Sequence, residues 1–194
     1  MKLTIQHQER YSRGQLLLRT FFGFLYIGIP HAFCLFFVGI WAAILMFCAW
    51  WVVLFTAKYP KGMFNFQVKL YNWQTRLSAT LYNLIDGYPA IGVNGKSDNV
   101  SLEVEYPEKL SRGLLLLRMF FGFIYVMIPH GFCLFFRAIG TCFVMFLAWW
   151  VVLFTGNYPA GWHSFVVGLL RWGLRINLYM AFMTDQYPPF TGKE

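Results

Sequence analysis

Histidines, arginine–aspartate pairs, one isolated arginine and paired tryptophans are the side chains in this sequence with the chemistry to do more than pack. His31 and His130 recur in one setting, Ile29-Pro30-His31 and Ile128-Pro129-His130. Two imidazoles at the ends of apolar segments can ligate a haem or another metal between two halves of a protein. No second ligand stands four residues along and no carboxylate is near in sequence. The preferred reading is therefore a histidine beside a first-turn proline, bonding free backbone groups. Arg76 with Asp86, and Arg175 with Asp185, form a second set. A proton or substrate path can be built from such pairs, but both lie where apolar sequence ends, so they read as a polar clamp between a helix and its following loop. Arg137 stands alone in a long apolar run and, with Arg171, is assigned to contact with a protein partner or a water pocket. His163-Ser164 suggests a hydrolase only in isolation. The chain has no GxSxG elbow, Gly-rich phosphate loop, HExxH motif or catalytic carboxylate pair. The sequence therefore assigns no catalytic residue, cofactor or metal, and reads as a non-enzyme.

These residues come in twos because the chain is a tandem repeat. Ser12 to Gly23 reads SRGQLLLRTFFG and Ser111 to Gly122 reads SRGLLLLRMFFG. The offset, 130 − 31 = 99, holds through Asp86-Gly87-Tyr88-Pro89 and Asp185-Gln186-Tyr187-Pro188. The expected organisation is repeat 1 over 1–92, a polar linker over 93–99 and repeat 2 over 100–191. Hydrophobic residues are 58 % and charged ones only 12 % of the 194, about half the charged share usual in soluble domains. Thr20 to Phe55 contains no Asp, Glu, Lys or Arg, and Met119 to Phe154 contains only Arg137. This composition predicts an all-α integral membrane protein. Cys34, Cys48, Cys133 and Cys142 lie in apolar runs without CxxC spacing and read as small hydrophobes.

Each repeat divides into three elements. Leu3-Thr4-Ile5 and Leu102-Glu103-Val104 alternate apolar and polar, predicting a short extended arm before each membrane segment. Two apolar stretches follow, separated by Pro-His. If each repeat crossed once, the basic residues would be divided almost evenly between the two sides. If each is a helical hairpin with its tip at Pro30-His31 or Pro129-His130, fifteen of the 16 basic residues share one side, all but Arg137. The positive-inside rule favours hairpins over 14–56 and 113–155, four membrane helices in all, with both termini cytoplasmic. Arg19 and Arg118 then snorkel to headgroups. Trp50, Trp51, Trp149 and Trp150 form an aromatic belt. After the Tyr-Pro turns, amphipathic helices over 63–85 and 162–184 are expected to lie in the interface, placing Trp73 and Trp172 at lipid.

The run Thr155-Gly156-Asn157-Tyr158-Pro159, Gly161-Trp162-His163-Ser164-Phe165, Leu170-Arg171-Trp172, Arg175 and Thr184-Asp185-Gln186-Tyr187-Pro188-Pro189-Phe190 resembles a bacterial family of integral membrane proteins known only as a domain of unknown function. Ile128-Pro129-His130 fits the same pattern. The resemblance covers essentially the whole of repeat 2. Repeat 1 keeps Pro30-His31, Tyr59-Pro60, Trp73, Arg76 and Asp86-x-Tyr-Pro, but has Asn72 for the second arginine and Phe64 for the histidine. The resemblance implies a small integral membrane protein and brings no activity, cofactor or catalytic residue.

The expected function is that of a non-catalytic scaffold or accessory subunit of a larger complex in the bacterial inner membrane. A membrane-shaping or lipid-organising hairpin protein is the alternative, and a small transporter or haem carrier using His31 and His130 the next. The expected partners are anionic lipids and another membrane protein or a second copy. The net charge of +8 is not read as a nucleic-acid signal, because the basic residues border apolar segments instead of forming a soluble stripe.

Overall fold

The structure, a computed structural model, describes residues 1–194. Strand β1 (Lys2–Ile5) precedes helix α1 (Arg13–Thr56), and helix α2 (Lys61–Leu81) follows it. Strand β2 (Val100–Glu103) opens the second repeat, ahead of α3 (Arg112–Thr155) and α4 (Ala160–Met180). Helices α1 and α3 start on serine caps. The Ser12 hydroxyl accepts the Gln15 N–H and the Ser111 hydroxyl accepts the Leu114 N–H, each satisfying a free first-turn donor.

Both long helices run unbroken through Pro-His, which corrects the expected architecture. There are no hairpins over 14–56 and 113–155 and no four membrane helices; there are two helices of 44 residues each, long and apolar enough to cross a membrane. Proline removes one N–H and crowds the carbonyl four residues back. Here a π-helical turn, Phe24–Gly28 in α1 and Phe123–Met127 in α3, precedes the proline and absorbs that crowding. The carbonyls four residues before each proline, which the proline nitrogen cannot serve, are those of Tyr26 and Tyr125. Tyr88 donates its hydroxyl to Tyr26 at 3.3 Å, and Tyr187 donates to Tyr125 at 3.0 Å.

The π turns also bend the helices. Straight, α1 would be about 66 Å long at 1.5 Å per residue, whereas α2 is about 31 Å. Yet α2 and two compact turns lead from the end of α1 back to its beginning, where the Ser12 N–H donates to Asp86 at 2.6 Å. Helix α1 therefore bows over α2. Gln67 ties the two together by donating to the Ala42 carbonyl at 2.8 Å. The spans expected over 63–85 and 162–184 end earlier, at Leu81 and Met180, because the chain turns through left-handed Asn83 and Phe182. The apolar stripe of α2 is spent on protein packing: Phe64, Leu70 and Trp73 are buried.

The two arms pair with each other as an antiparallel ribbon, with Leu3 opposite Leu102 and Ile5 opposite Val100. Their inward side chains join Ala49, Val53, Tyr59, Ala148, Val152, Tyr158 and Leu178 in one core built from both repeats. The start of each long helix also closes the end of the other. Tyr11 N–H donates to Gly156 O and Leu110 N–H to Ala57 O, both at 2.8 Å. Arg13 and Arg112 donate to the last-turn carbonyls of Phe154 and Phe55, which have no partner within their own helices. The convex faces remain uncovered: Phe21, Phe24, Phe33, Phe36, Phe47 and Phe55 on α1, and their counterparts on α3, are all exposed.

Candidate functional site

The polar residues kept in both repeats meet at one joint under each bow. Leu16, Arg19, Gly23, Ile27 and His31 recur on the inner face of α1 at helical spacing and are buried there. Arg19 donates to the Thr80 carbonyl at 3.1 Å, to the Ile85 carbonyl, and to Asp86 at 2.8 Å. In repeat 2, Arg118 donates to Tyr179 at 2.9 Å, to Thr184 at 2.6 Å and to Asp185 at 2.6 Å, with its guanidinium 4.6 Å from the Tyr179 ring. The guanidinium fork thus satisfies the carbonyls that end α2 or α4 and holds the following carboxylate.

The clamp exists, but with different members from those expected. Asp86 and Asp185 pair with Arg19 and Arg118, not with Arg76 and Arg175. Arg19 and Arg118 are buried, so they do not snorkel to headgroups. The bow of the long helix turns them inward over the C-terminal end of α2 or α4. Arg76 instead donates to the Ala90 and Gly92 carbonyls, and Arg175 to Thr191.

The histidines are joint residues as well. Trp73 Nε1–H donates to His31 Nδ1, and Trp172 Nε1–H to His130 Nδ1, both at 2.9 Å. An Nδ1 that accepts is unprotonated, so the ring proton of the neutral imidazole sits on Nε2. Both histidines are fully buried, and Tyr88 or Tyr187 lies beside each ring. In repeat 2, Phe190 also stacks on His130 at 3.9 Å. Each imidazole is thus enclosed within its own repeat, packed by that repeat's side chains. Trp73 and Trp172, expected at lipid, are buried for the same reason. Trp51 and Trp150 are exposed, while Trp149 reaches across to Thr20 Oγ1 at 2.9 Å.

Arg137 faces protein. It donates to the Phe165 carbonyl at 3.0 Å and lies 4.5 Å from that ring. Arg171 donates to Gly192 at 2.9 Å, to Leu3 at 3.3 Å and to Glu194 at 3.0 Å. His163 sits at the contact between repeats, against the Leu84 carbonyl and 5.0 Å from the His7 ring. Burial pushes its pKa down to about 4, and His7 adds to that, while the Leu84 contact opposes it. Sequence reading missed the roles of Tyr88 and Tyr187, although the invariant spacing of the Asp-x-Tyr-Pro motif after each Pro-His was the signal available. These joints orient helices, and no nucleophile, base and open substrate position come together in them.

Comparison with curated proteins and with solved structures finds no match. Residues 116–192, within the second repeat, match the family model described as Domain of unknown function (DUF4389).

Proposed function

We propose that this is a non-catalytic, lipid-organising protein of the bacterial inner membrane, whose two bowed helices enter the bilayer from the cytoplasmic side and return to it. One observation carries the reading. The uncovered convex faces of α1 and α3 are apolar from end to end, while both ends of each bow join the layer of ribbon, α2, α4 and connecting loops that holds most of the charge. An exposed apolar surface of this extent needs a cover, and lipid fits two equivalent faces at once. The joint chemistry agrees. In hydrocarbon a carbonyl orphaned by proline has no water to turn to, and each is met by a tyrosine hydroxyl. Basic residues clustered at the returning ends favour the cytoplasmic face and both termini there. Such a shape takes up more of one leaflet than the other and biases curvature.

The test has two parts. Reconstituted protein should reduce the radius of liposomes in proportion to the protein-to-lipid ratio, read by cryo-electron microscopy. Single cysteines at Gly28 and Met127, in a background lacking the four native ones, should resist membrane-impermeant maleimide added outside spheroplasts. Unchanged liposomes, together with a stoichiometric membrane partner on purification, would replace this reading with that of an accessory subunit.

A further inference from the structure

Repeat 2 carries two arginines, Arg137 and Arg171, at positions where repeat 1 has uncharged residues. Arg137, Arg171 and Arg175 stand where repeat 1 has Val38, Asn72 and Arg76. All three surround the last residues of the chain. Arg171 and Arg175 donate to the neighbouring carbonyls of Gly192 and Thr191. A β-carbon on Gly168 would collide with the Arg137 guanidinium and stand 3.2 Å from Gly192 O, so Arg137 borders the same spot. Against three guanidinium groups there is one ion-pair partner, Glu194, whose side chain is 82 % exposed. The Arg137 Nε is buried without an acceptor. The buried arginines of the joints, by contrast, each have an aspartate.

Beside Arg171 lies a cavity of about 270 Å³ between β1 and α4. Thr4, His163, Ser164, Arg171 and Glu194 supply its polar wall, and Leu3, Ile5 and Val167 its apolar one. Half-buried guanidinium charge without matching carboxylate is costly, and a guanidinium fork with adjacent hydroxyls suits a tetrahedral oxyanion. We infer that this cavity binds a phosphate-bearing anion. Arg171 and the Thr4 and Ser164 hydroxyls contact the phosphate, Arg137 and Arg175 supply the surrounding positive field, and the Glu194 carboxylate occupies the Arg171 fork until the anion displaces it. The site does not depend on the bows entering lipid. A free phosphate ester and a phospholipid headgroup present the same chemistry, and the test separates them.

The full chain in maltoside detergent is titrated with inorganic phosphate, glycerol phosphate, short-chain phosphatidylglycerol and short-chain phosphatidylcholine, following the thermal unfolding midpoint. A phosphate-bearing probe should raise the midpoint saturably. Arg171→Gln should weaken its binding about tenfold, the loss of roughly one charge-assisted contact, and Lys69→Gln in repeat 1 should leave it unchanged. Glu194→Gln, at an exposed position that does not threaten folding, should tighten binding several-fold by removing the internal competitor. Response to phosphatidylglycerol alone assigns a headgroup. An equal response to glycerol phosphate assigns a soluble ester. The proposal is overturned if no phosphate-bearing probe shifts the midpoint, or if Glu194→Gln binds with wild-type affinity.

Discussion

Repeat 1 and repeat 2 share a skeleton but not a charge pattern. Both keep the serine cap, the inward arginine, the π turn, the proline, the histidine, the tryptophan that bonds it, and the Asp-x-Tyr-Pro loop that supplies carboxylate and hydroxyl. Arg19, His31, Trp73, Asp86 and Tyr88, with their counterparts in repeat 2, thus serve one mechanical task, holding a bowed helix against the shorter helix beneath it. The differences lie elsewhere. Repeat 2 alone has Arg137, Arg171, His163 and the Phe190 ring, where repeat 1 has Val38, Asn72, Phe64 and Ile91. The joint is therefore architecture common to both halves, and the cluster of Arg137, Arg171 and Arg175, found in one half only, is where a specific ligand is to be sought.

The largest test of that division is the ion pair. Arg118→Met should destabilise the protein by about 3–5 kcal/mol, because it strands Asp185 and three carbonyl contacts. Arg19→Met should cost nearly as much, its side chain being only slightly less buried, at 5 % exposed against 0 %. Chemical unfolding in detergent measures both, and a cost for either no greater than the ~1 kcal/mol of a surface pair would remove the joint from the shared architecture. Next, Trp73→Phe and Trp172→Phe each leave a buried imidazole acceptor unpaired, a loss of about 1–3 kcal/mol. The loss should be smaller in repeat 2, where Phe190 still stacks on His130. Double substitution with Phe190→Ala, compared by thermal unfolding, should abolish that difference.

A smaller contrast lies at the ends of the long helices. Gly156 closes α3 at φ +75°, whereas Ala57 closes α1 at φ +58°. The left-handed conformation costs a residue with a β-carbon about 1 kcal/mol. Ala57→Gly should therefore stabilise, and Gly156→Ala destabilise, by amounts of that order in the same unfolding assay. The smallest effect near neutral pH belongs to His163, which is kept neutral by burial. Its pKa in the folded state, about 4, lies below that of an unfolded histidine, about 6.5. Between those values the unfolded chain binds more protons, so stability falls as pH drops through this window and levels off below it. His163→Phe, which installs the residue of repeat 1, should flatten that part of the pH profile of the midpoint. Unchanged pH dependence would mean that His163 does not carry it.

Much of this was legible in the residues. Alternation in Leu3-Thr4-Ile5 and Leu102-Glu103-Val104 located both strands, and the Tyr-Pro turns located the ends of the two long helices. The candidate site was legible as a set of residues but not as a set of bonds. Asp86 has one arginine ten residues back and another 67 back, and proximity in sequence favoured Arg76. Trp73 looked like a lipid-facing aromatic because its stripe is amphipathic, and nothing local said that the stripe would be covered by α1.

The repeat, the uncharged apolar stretches, the capping serines and the periodicities follow from the order of residues alone, since each depends on neighbours within a few turns. That the long helices continue through Pro30 and Pro129, and which arginine each aspartate holds, was decided only when the chain closed on itself. A proline states which backbone bond is lost. Whether the chain turns back or bends depends on whether the freed carbonyl finds a new donor, and for Tyr26 that donor is a hydroxyl 62 residues away. The same bend brings Arg19, and not Arg76, to Asp86, because an ion pair follows distance in space.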